Sequence, residues 1–350
     1  MTRGIPQSLI DTLTAYADQA DAETTWPAAS LDALGQAGVW RWSIPTQYGG
    51  DGLGGVELFR RYRDLASACL TTAFILSQRE AACRRIRDHG NPDLREHLLP
   101  ALAHGERFAT VGLSQLTTAR QHTGPSLSGC LEDDFLELNG IIPWVTGAAK
   151  ADHVIVGNVL GDNRQVLAVL PSEMSGLKVD PPLDLMAVRG SLTAEIRCSK
   201  VRIGREWLLA GPALQLLQTG KGGAGGLETS CLALGLSRAA IDYVQKEAEA
   251  RSPLRGVADG LDARWERLWK ELEQVAGGGN TPDAVRMRSK ANVMVLHATQ
   301  AALTAAKGTG FLRPHPAQRW ARQALFFLVW SCPWPAASAM LDTLASDACV

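Results

Sequence analysis

The sequence predicts an α+β protein with an N-terminal helical domain, a middle antiparallel β domain and a C-terminal four-helix bundle. Two observations lead to this prediction. Apolar residues recur at helical spacing in the first and last thirds of the chain, whereas the middle third contains short strand-like runs separated by turn residues. In this chain of 350 residues we place the domains at 1–107, 108–212 and 213–350.

The first domain contains several predicted helices. Apolar residues at helical spacing predict helices over 7–21 and 32–37 and one long helix over 56–77. Asn91 followed by Pro92 is a helix-start signal, which predicts a further helix over 93–102. Glycine-rich residues 48–55 fit neither regular structure, so we expect a loop there.

The middle domain consists of predicted strands separated by turn clusters. The strands cover residues 108–113, 126–131, 135–138, 153–159, 165–170 and 192–197. The turn clusters are Glu132–Asp134, Asn139–Gly140 and Gly161–Asn163. Closely spaced strands with such turns predict a compact antiparallel sheet.

The last domain returns to helical spacing. Four long helices are predicted, over residues 227–250, 260–275, 282–307 and 317–329. Because their connections are short, they are expected to form an antiparallel bundle.

Composition excludes several classes of protein. A net charge of −1 argues against a general nucleic-acid surface, and the cluster of Arg84, Arg85 and Arg87 is interpreted as a solvated helix face. The seven cysteines show no CxxC spacing, which favours reduced thiols and a cytoplasmic location. The start of the chain does not have the pattern of a signal peptide. No apolar run approaches the length of a membrane span, about 20 residues.

Common catalytic motifs are also missing from the sequence. The seven histidines have neither HxxxH nor HExxH spacing, so no metal site is predicted. There is no GxSxG motif of a serine hydrolase. Residues 219–226 fit the spacing GxGxxG, but no convincing βαβ unit surrounds them, so we reject a dinucleotide-binding loop.

Six segments match sequence motifs of one enzyme family, and they occur in the same order and at the same spacing. They are Ile44–Gly50, Gly112–Ser114, Asn139–Thr146, Val188–Thr193, Lys307–Phe311 and Arg322–Pro333. Together they resemble the acyl-CoA dehydrogenases, a family of FAD flavoproteins, over nearly the whole chain. The fold implied by this resemblance has the same order of helices, strands and helices.

The resemblance also implies a flavin site. Leu113 and Ser114 would lie along the pyrimidine end of the isoalloxazine, Trp144 would pack on the ring system, and Thr146 would hydrogen-bond near N5. The alternative interpretation of Trp144 is ordinary core packing.

A second group of residues would hold the phosphates of the cofactor bound to a neighbouring subunit. Arg251, Gly308 and Gly310 match those family positions. An arginine suits a diphosphate because its planar guanidinium donates several hydrogen bonds, and glycine lets the backbone approach closely. The resemblance therefore implies FAD as cofactor and a homodimer or homotetramer.

Ser331 occupies the position of the family's catalytic base. Most relatives have a glutamate there that removes the α-proton of the substrate, whereas a serine hydroxyl without an activating partner cannot. An alternative base would fall near Ala224, which cannot serve. Glu228 is the nearest carboxylate and a weak candidate, expected mainly to face solvent. Gly223 and Gly226 replace an acidic residue and an arginine usual in the family.

The best functional hypothesis is an FAD-dependent oxidoreductase for which classical α,β-desaturation is in doubt. The substrate would be a small molecule such as an acyl thioester, and an electron-transfer flavoprotein is a possible partner. Two alternatives stay open. One is a flavin-dependent monooxygenase on the same fold, and the other is a binding or scaffold homologue without catalysis.

Overall fold

The N-terminal part of the computed structural model is helical. The structure describes residues 4–117, 125–214, 216–217, 226–278, 281–332 and 334–345. The first helices are α1 (Gln7–Ala22), α2 (Ala28–Gln36), α3 (Gly55–Ala68), α4 (Leu70–His89) and α5 (Pro92–His104). The single long helix predicted over 56–77 is wrong. Two helices meet at Cys69, whose extended backbone (φ −151°, ψ 103°) interrupts the helical hydrogen-bond series.

Helix α5 shows why its termini could be predicted. The Asn91 side chain caps the helix by accepting a hydrogen bond of 2.8 Å from the Leu94 N–H, and Pro92 occupies the first turn. Gly105 ends the helix in the left-handed conformation, with φ +73°. The predicted helix is confirmed and is slightly longer at both ends.

The middle of the chain forms one eight-stranded sheet. The strands are β1 (Ala109–Gly112), β2 (Leu127–Leu131), β3 (Phe135–Val145), β4 (His153–Leu160), β5 (Gln165–Pro171), β6 (Leu177–Val179), β7 (Ala194–Gly204) and β8 (Leu208–Ala213). A short helix, α6 (Ser114–Thr117), follows β1. The sheet order is β6-β7-β3-β2-β4-β5-β8, with β1 beside β4. The predicted β domain is confirmed, but β4 pairs in parallel with β1 and with β2, so the sheet is mixed.

The predicted turn at Asn139–Gly140 is wrong, because both residues lie inside β3. Gly140 has φ +123°, and the register with β7 shifts between Leu138 and Gly140, which is the pattern of a β-bulge. An added Cβ at Gly140 would meet the Ser126 carbonyl oxygen at 2.3 Å. Pairing with the long strand β7 thus overrides the local turn signal.

The C-terminal part is helical, as predicted, and it contains one helix more than the four that were predicted. The helices are α7 (Leu227–Ala250), α8 (Arg255–Ala276), α9 (Thr281–Ala306), α10 (Pro316–Val329) and α11 (Trp334–Ala345). The start of α8 precedes its predicted start by five residues. None of the helices in the described ranges has the length and apolar character needed to cross a bilayer.

Helix α4 occupies the centre of the molecule. Its first half, including Phe74 and Leu76, packs in a helical core together with Phe327 of α10. Its second half, including Ile86, packs with Ile155 of β4 in a separate core between helices and sheet. One helix therefore contacts both the C-terminal bundle and the β-sheet, so a site between these regions must lie along α4.

A buried carboxylate connects all three regions. Asp21 at the end of α1 accepts hydrogen bonds from the Val188 N–H (2.8 Å) and the Gln323 side chain (2.9 Å). It also forms an ion pair of 2.7 Å with Arg322 on α10. Because a buried carboxylate without partners is costly, these contacts stabilise one relative arrangement of α1, the β domain and α10.

Candidate active site

A cavity of about 650 Å³ lies where the helices and the sheet meet. Its wall includes one face of α4, the end of β1, the end of β3, the start of α7 and the end of α10, together with Leu185, Thr193 and Leu217. The volume is within the range of small-molecule sites. The cavity is therefore the candidate active site.

Four of the predicted flavin-site residues meet at one wall. Leu113 and Ser114 follow β1, Trp144 and Thr146 lie at the end of β3, and all four line the cavity. The Ser114 hydroxyl donates a hydrogen bond of 3.0 Å to the Pro143 carbonyl, which joins the two segments. Two motifs that are about 30 residues apart in sequence therefore lie side by side in the cavity wall.

Trp144 projects from the sheet and is not a core residue. Its backbone is left-handed (φ +59°), and the register of β3 with β7 shifts again between Ile142 and Val145. This bulge leaves the Trp144 side chain at the cavity edge, 55% exposed. The core-packing interpretation is therefore wrong. A left-handed tryptophan is uncommon and costs free energy, which is a feature of functional sites.

Ser331 lies on the turn that follows α10. Trp330 stacks on Phe326, with ring centroids 5.1 Å apart and an interplanar angle of 9°, and meets Phe74 of α4 edge-on at 4.8 Å. Ser331 has φ +46° and lines the cavity. Ser331, which the resemblance predicts to be the base position, therefore presents its hydroxyl side chain at the cavity wall.

Two side chains of α9 that sequence reasoning missed hold this turn. Arg288 is fully buried and donates hydrogen bonds of 2.8 Å to the carbonyls of Phe327 and Trp330. Asn292 donates a third, of 3.2 Å, to the Phe327 carbonyl. The last carbonyls of a helix have no partners within it, so these donors end α10 and fix the turn. A polar pair at i and i+4 among buried apolar residues was the available signal.

Arg84, Arg85 and Glu228 form the charged end of the cavity. All three line it, so the interpretation of Arg84 and Arg85 as a solvated helix face is wrong, and so is that of Glu228 as a mainly solvent-facing residue. Arg84 and Glu228 form an ion pair of 3.0 Å, with side chains 22% and 26% exposed. The sequence could not show this, because the partners are about 140 residues apart.

Burial affects the two arginines differently. Burial lowers the pKa of Arg84, but the Glu228 carboxylate, together with Tyr62, Glu80 and Cys83, outweighs it, and the net shift is upward. Burial, and secondarily the charge of Arg84, lower the pKa of Arg85 to about 10. Both guanidinium groups are charged at neutral pH.

The predicted phosphate-binding residues lie outside this cavity. Arg251 donates hydrogen bonds of 2.5 Å to Glu247 and to the Ala305 carbonyl, which places it beside the turn that contains Gly308 and Gly310. The three residues therefore form a second group. An added Cβ at Gly310 would meet the Ala306 Cβ at 2.5 Å, so packing within the chain already requires glycine there, whereas Gly308 faces open space.

Helices, a mixed sheet and a helical bundle around one cavity define the class of protein, which is that of the acyl-CoA dehydrogenase fold. Residues 7–106 match the family model for the acyl-CoA dehydrogenase N-terminal domain. The chain therefore contains an acyl-CoA dehydrogenase N-terminal domain and resembles acyl-CoA dehydrogenases in sequence and fold, as its motifs predicted.

Curated relatives agree with this assignment. The chain is 27% identical over 245 residues to a probable acyl-CoA dehydrogenase, YngJ, of Bacillus subtilis, a match covering 67% of this chain and 64% of that protein. It is 26% identical over 246 residues to the human mitochondrial short-chain specific acyl-CoA dehydrogenase, covering 67% and 58%. The matched region is therefore less than two thirds of the length of these relatives.

A solved structure agrees over the whole fold. The butyryl-CoA dehydrogenase of Megasphaera elsdenii superposes with a TM-score of 0.84, covering 99% of each chain at 19% identity. At this identity the likeness establishes the fold alone.

Proposed function

We propose that the protein is an FAD-dependent oxidoreductase of the acyl-CoA dehydrogenase type, acting on an acyl thioester. The observation that supports this most directly is the convergence of Leu113, Ser114, Trp144 and Thr146 with the Ser331 turn on one cavity. FAD, when bound, would supply the acceptor for a hydride from the substrate. An electron-transfer flavoprotein is the proposed electron acceptor of the enzyme.

The wall formed by these residues suits a planar ring system with polar edges. The exposed indole of Trp144 offers a flat apolar surface. Thr146 is buried at the cavity, with its hydroxyl 3.4 Å from that of Thr193. Such preorganised hydroxyl donors suit a ring that gains negative charge on reduction.

The second group of residues leads us to propose a homodimer or homotetramer. Arg251, Gly308 and Gly310 would serve the FAD of a neighbouring subunit, because they lie outside the cavity of their own chain. Phe311 and Leu312, directly after them, are 81% and 62% exposed, which is consistent with a covered surface in an assembly. Light scattering after gel filtration tests the assembly.

The absorbance spectrum of the purified protein tests the cofactor. We expect a flavin spectrum, and we expect Arg251→Ala to lower flavin occupancy without unfolding the protein. Arg255→Ala, which changes an exposed arginine at the start of α8, is the matched control and should keep its flavin. A colourless protein that also fails to take up added FAD would contradict the proposal and favour a non-catalytic scaffold.

Loss of the family base predicts slow dehydrogenation. Glu228 is the sole carboxylate among the described residues that line the cavity, and Arg84 engages it at 3.0 Å. Ser331 cannot replace a carboxylate, and general-base catalysis contributes about 10²–10⁴ in rate. No contact in the described part of the cavity specifically favours the monooxygenase alternative.

Anaerobic mixing with butyryl-CoA tests this part of the proposal. We expect the flavin absorbance to bleach slowly or not at all. Fast bleaching would show that another base exists, and Glu228→Gln would then show whether it is Glu228. The measurement requires a flavin-loaded sample, so it follows the absorbance test, and its failure is distinguished from failure to bind FAD.

A further inference from the structure

The cavity wall contains a thiol beside the Ser331 turn. Cys332 follows Ser331, lines the cavity and is half-buried. It is the one cysteine among the described residues of the cavity wall. Cys130 on β2, by contrast, is exposed and donates a hydrogen bond of 3.2 Å to Glu132. Of the described thiols, that of Cys332 is therefore the one within reach of a molecule bound in the cavity.

A second and independent observation is a buried positive charge beside this thiol. Arg288 on α9 is 0% exposed, and its Nη2 donates hydrogen bonds of 2.8 Å to the carbonyls of Phe327 and Trp330. Its Nε and Nη1 atoms have no hydrogen-bond partner among the described residues. Because burying a guanidinium without an anion costs free energy, the surroundings of Arg288 favour a group that develops negative charge.

Cys332 is the ionisable group that interacts with this charge. The hydrogen bond from Arg288 to the Trp330 carbonyl holds the guanidinium at the turn, two residues before Cys332. Burial raises the pKa of the Cys332 thiol, and the charge of Arg288 opposes part of this rise, so the net pKa stays above its ordinary value. Cys332 is therefore a neutral thiol at neutral pH, and Arg288 stabilises the negative charge that develops on the sulfur when it reacts.

We propose that Cys332 is a nucleophile that forms a covalent adduct with an α,β-unsaturated acyl thioester held in the cavity. This inference rests on the proposed function, because dehydrogenation of an acyl thioester yields such a molecule in the same cavity. Cys332 shares the cavity wall with Trp144 and Thr146, the residues that would contact the flavin. A thioester bound against that wall therefore lies in the same enclosed space as the thiol.

The proposed step is a conjugate addition, which needs no oxidant or reductant. A bond forms between the Cys332 sulfur and the β-carbon of the thioester, and the carbon–carbon double bond becomes single. The thiol proton is transferred to the α-carbon, and no group leaves. The adduct therefore has the mass of the protein plus that of the whole thioester. A saturated thioester has no electrophilic β-carbon and cannot react in this way.

Mass spectrometry of the intact protein tests the adduct. The protein is incubated with crotonyl-CoA and with trans-2-octenoyl-CoA, and butyryl-CoA is the saturated control. We expect a gain of the whole mass of an unsaturated thioester, with peptide mapping placing it on Cys332, and no gain with butyryl-CoA. Cys332→Ser should abolish the gain. Cys130→Ser, which removes an exposed thiol outside the cavity wall, is the matched control and should keep it.

Three results of this experiment would overturn the proposal. The first is the absence of an adduct with both unsaturated thioesters. The second is an adduct on another cysteine and not on Cys332. The third is a gain of the acyl group alone, with butyryl-CoA as effective as crotonyl-CoA, because that result shows thioester exchange and not addition.

Variants of Arg288 test the source of the reactivity. The rate at which iodoacetamide alkylates Cys332 is measured against pH, because it follows the thiolate fraction. The charge of Arg288 lowers the thiol pKa, so folded Arg288→Gln should shift the profile to higher pH and slow alkylation about tenfold at neutral pH, the effect of one pKa unit. Arg288→Lys should shift it less. An unchanged profile in folded Arg288→Gln would overturn the assigned role of Arg288, and the Cys332→Ser comparison needs no change at Arg288.

The mass experiment also separates this proposal from the proposed function, since the addition needs no flavin. An adduct on Cys332 of a colourless protein that takes up no FAD would contradict the oxidoreductase and leave the nucleophile intact. A flavin-loaded protein without an adduct would contradict the nucleophile alone.

Discussion

The two ends of the cavity differ in how they relate to the family pattern. At the α10 end, Ser331 faces the cavity at the position where the motif resemblance implies a glutamate. At the α4 end, Arg84, Arg85 and Glu228 supply charges that no motif indicated. One end therefore presents a hydroxyl group, and the other contains three charged groups.

This difference shows that the backbone support of a turn and the side chain it presents are separate features. Arg288 and Asn292 donate hydrogen bonds to the carbonyls at the end of α10, so the turn is supported whatever side chain residue 331 has. At the charged end, the ion pair of Arg84 with Glu228 joins α4 to α7 through side chains. The α10 end should therefore respond mainly to loss of helix-end donors, and the α4 end to loss of charge.

The largest effect is expected from Arg288→Ala. The change leaves two buried carbonyls without a donor from residue 288, and we expect it to destabilise the protein by about 3 kcal/mol. Chemical denaturation measures the loss. The control Arg286→Ala removes a 60%-exposed arginine with surface ion pairs and should cost less than about 1 kcal/mol. Equal losses in both variants would show that Arg288 does not hold the turn.

An intermediate effect is expected at the charged end. Arg84→Gln and Glu228→Gln each break an ion pair that is about one-quarter exposed, and each should cost about 1 to 2 kcal/mol. In the double variant neither partner is left alone, so its cost should be less than the sum of the single costs. A double-mutant cycle by denaturation measures the coupling, and strictly additive costs would contradict it.

The smallest effect is expected from attempts to restore the base. Ser331 has a left-handed backbone, where a glutamate is disfavoured by about 1 kcal/mol and a glycine is favoured. We expect Ser331→Glu to be slightly less stable, Ser331→Gly to be as stable as the wild type or more so, and dehydrogenation by Ser331→Glu to rise less than about tenfold over the wild type. Robust activity of Ser331→Glu with butyryl-CoA would show that only the base was lost.

Much of the fold could be predicted from local patterns. Helix α5 has its own start and stop residues, Asn91 and Gly105, so its limits follow from the sequence. The prediction failed where tertiary contacts overrode local preference. Gly140 looked like a turn but forms a bulge in β3, because β7 provides a hydrogen-bonding partner on both sides of it. Cys69 carries no sequence signal for a helix break, yet α3 and α4 separate there.

The sequence by itself determined the order of the helical and strand regions and the resemblance to one family, because capping residues, apolar spacing and short motifs are local. It also identified the segments of Leu113, Ser114, Trp144 and Thr146, which one cavity brings together. Only the tertiary structure decided which charges face that cavity. The ion pair of Arg84 with Glu228 joins residues about 140 positions apart, and the spacing of arginines on one helix does not show what packs against it. Burial and pairing arise from the packing of distant segments, so they become visible only when α4, α7 and α10 are placed together.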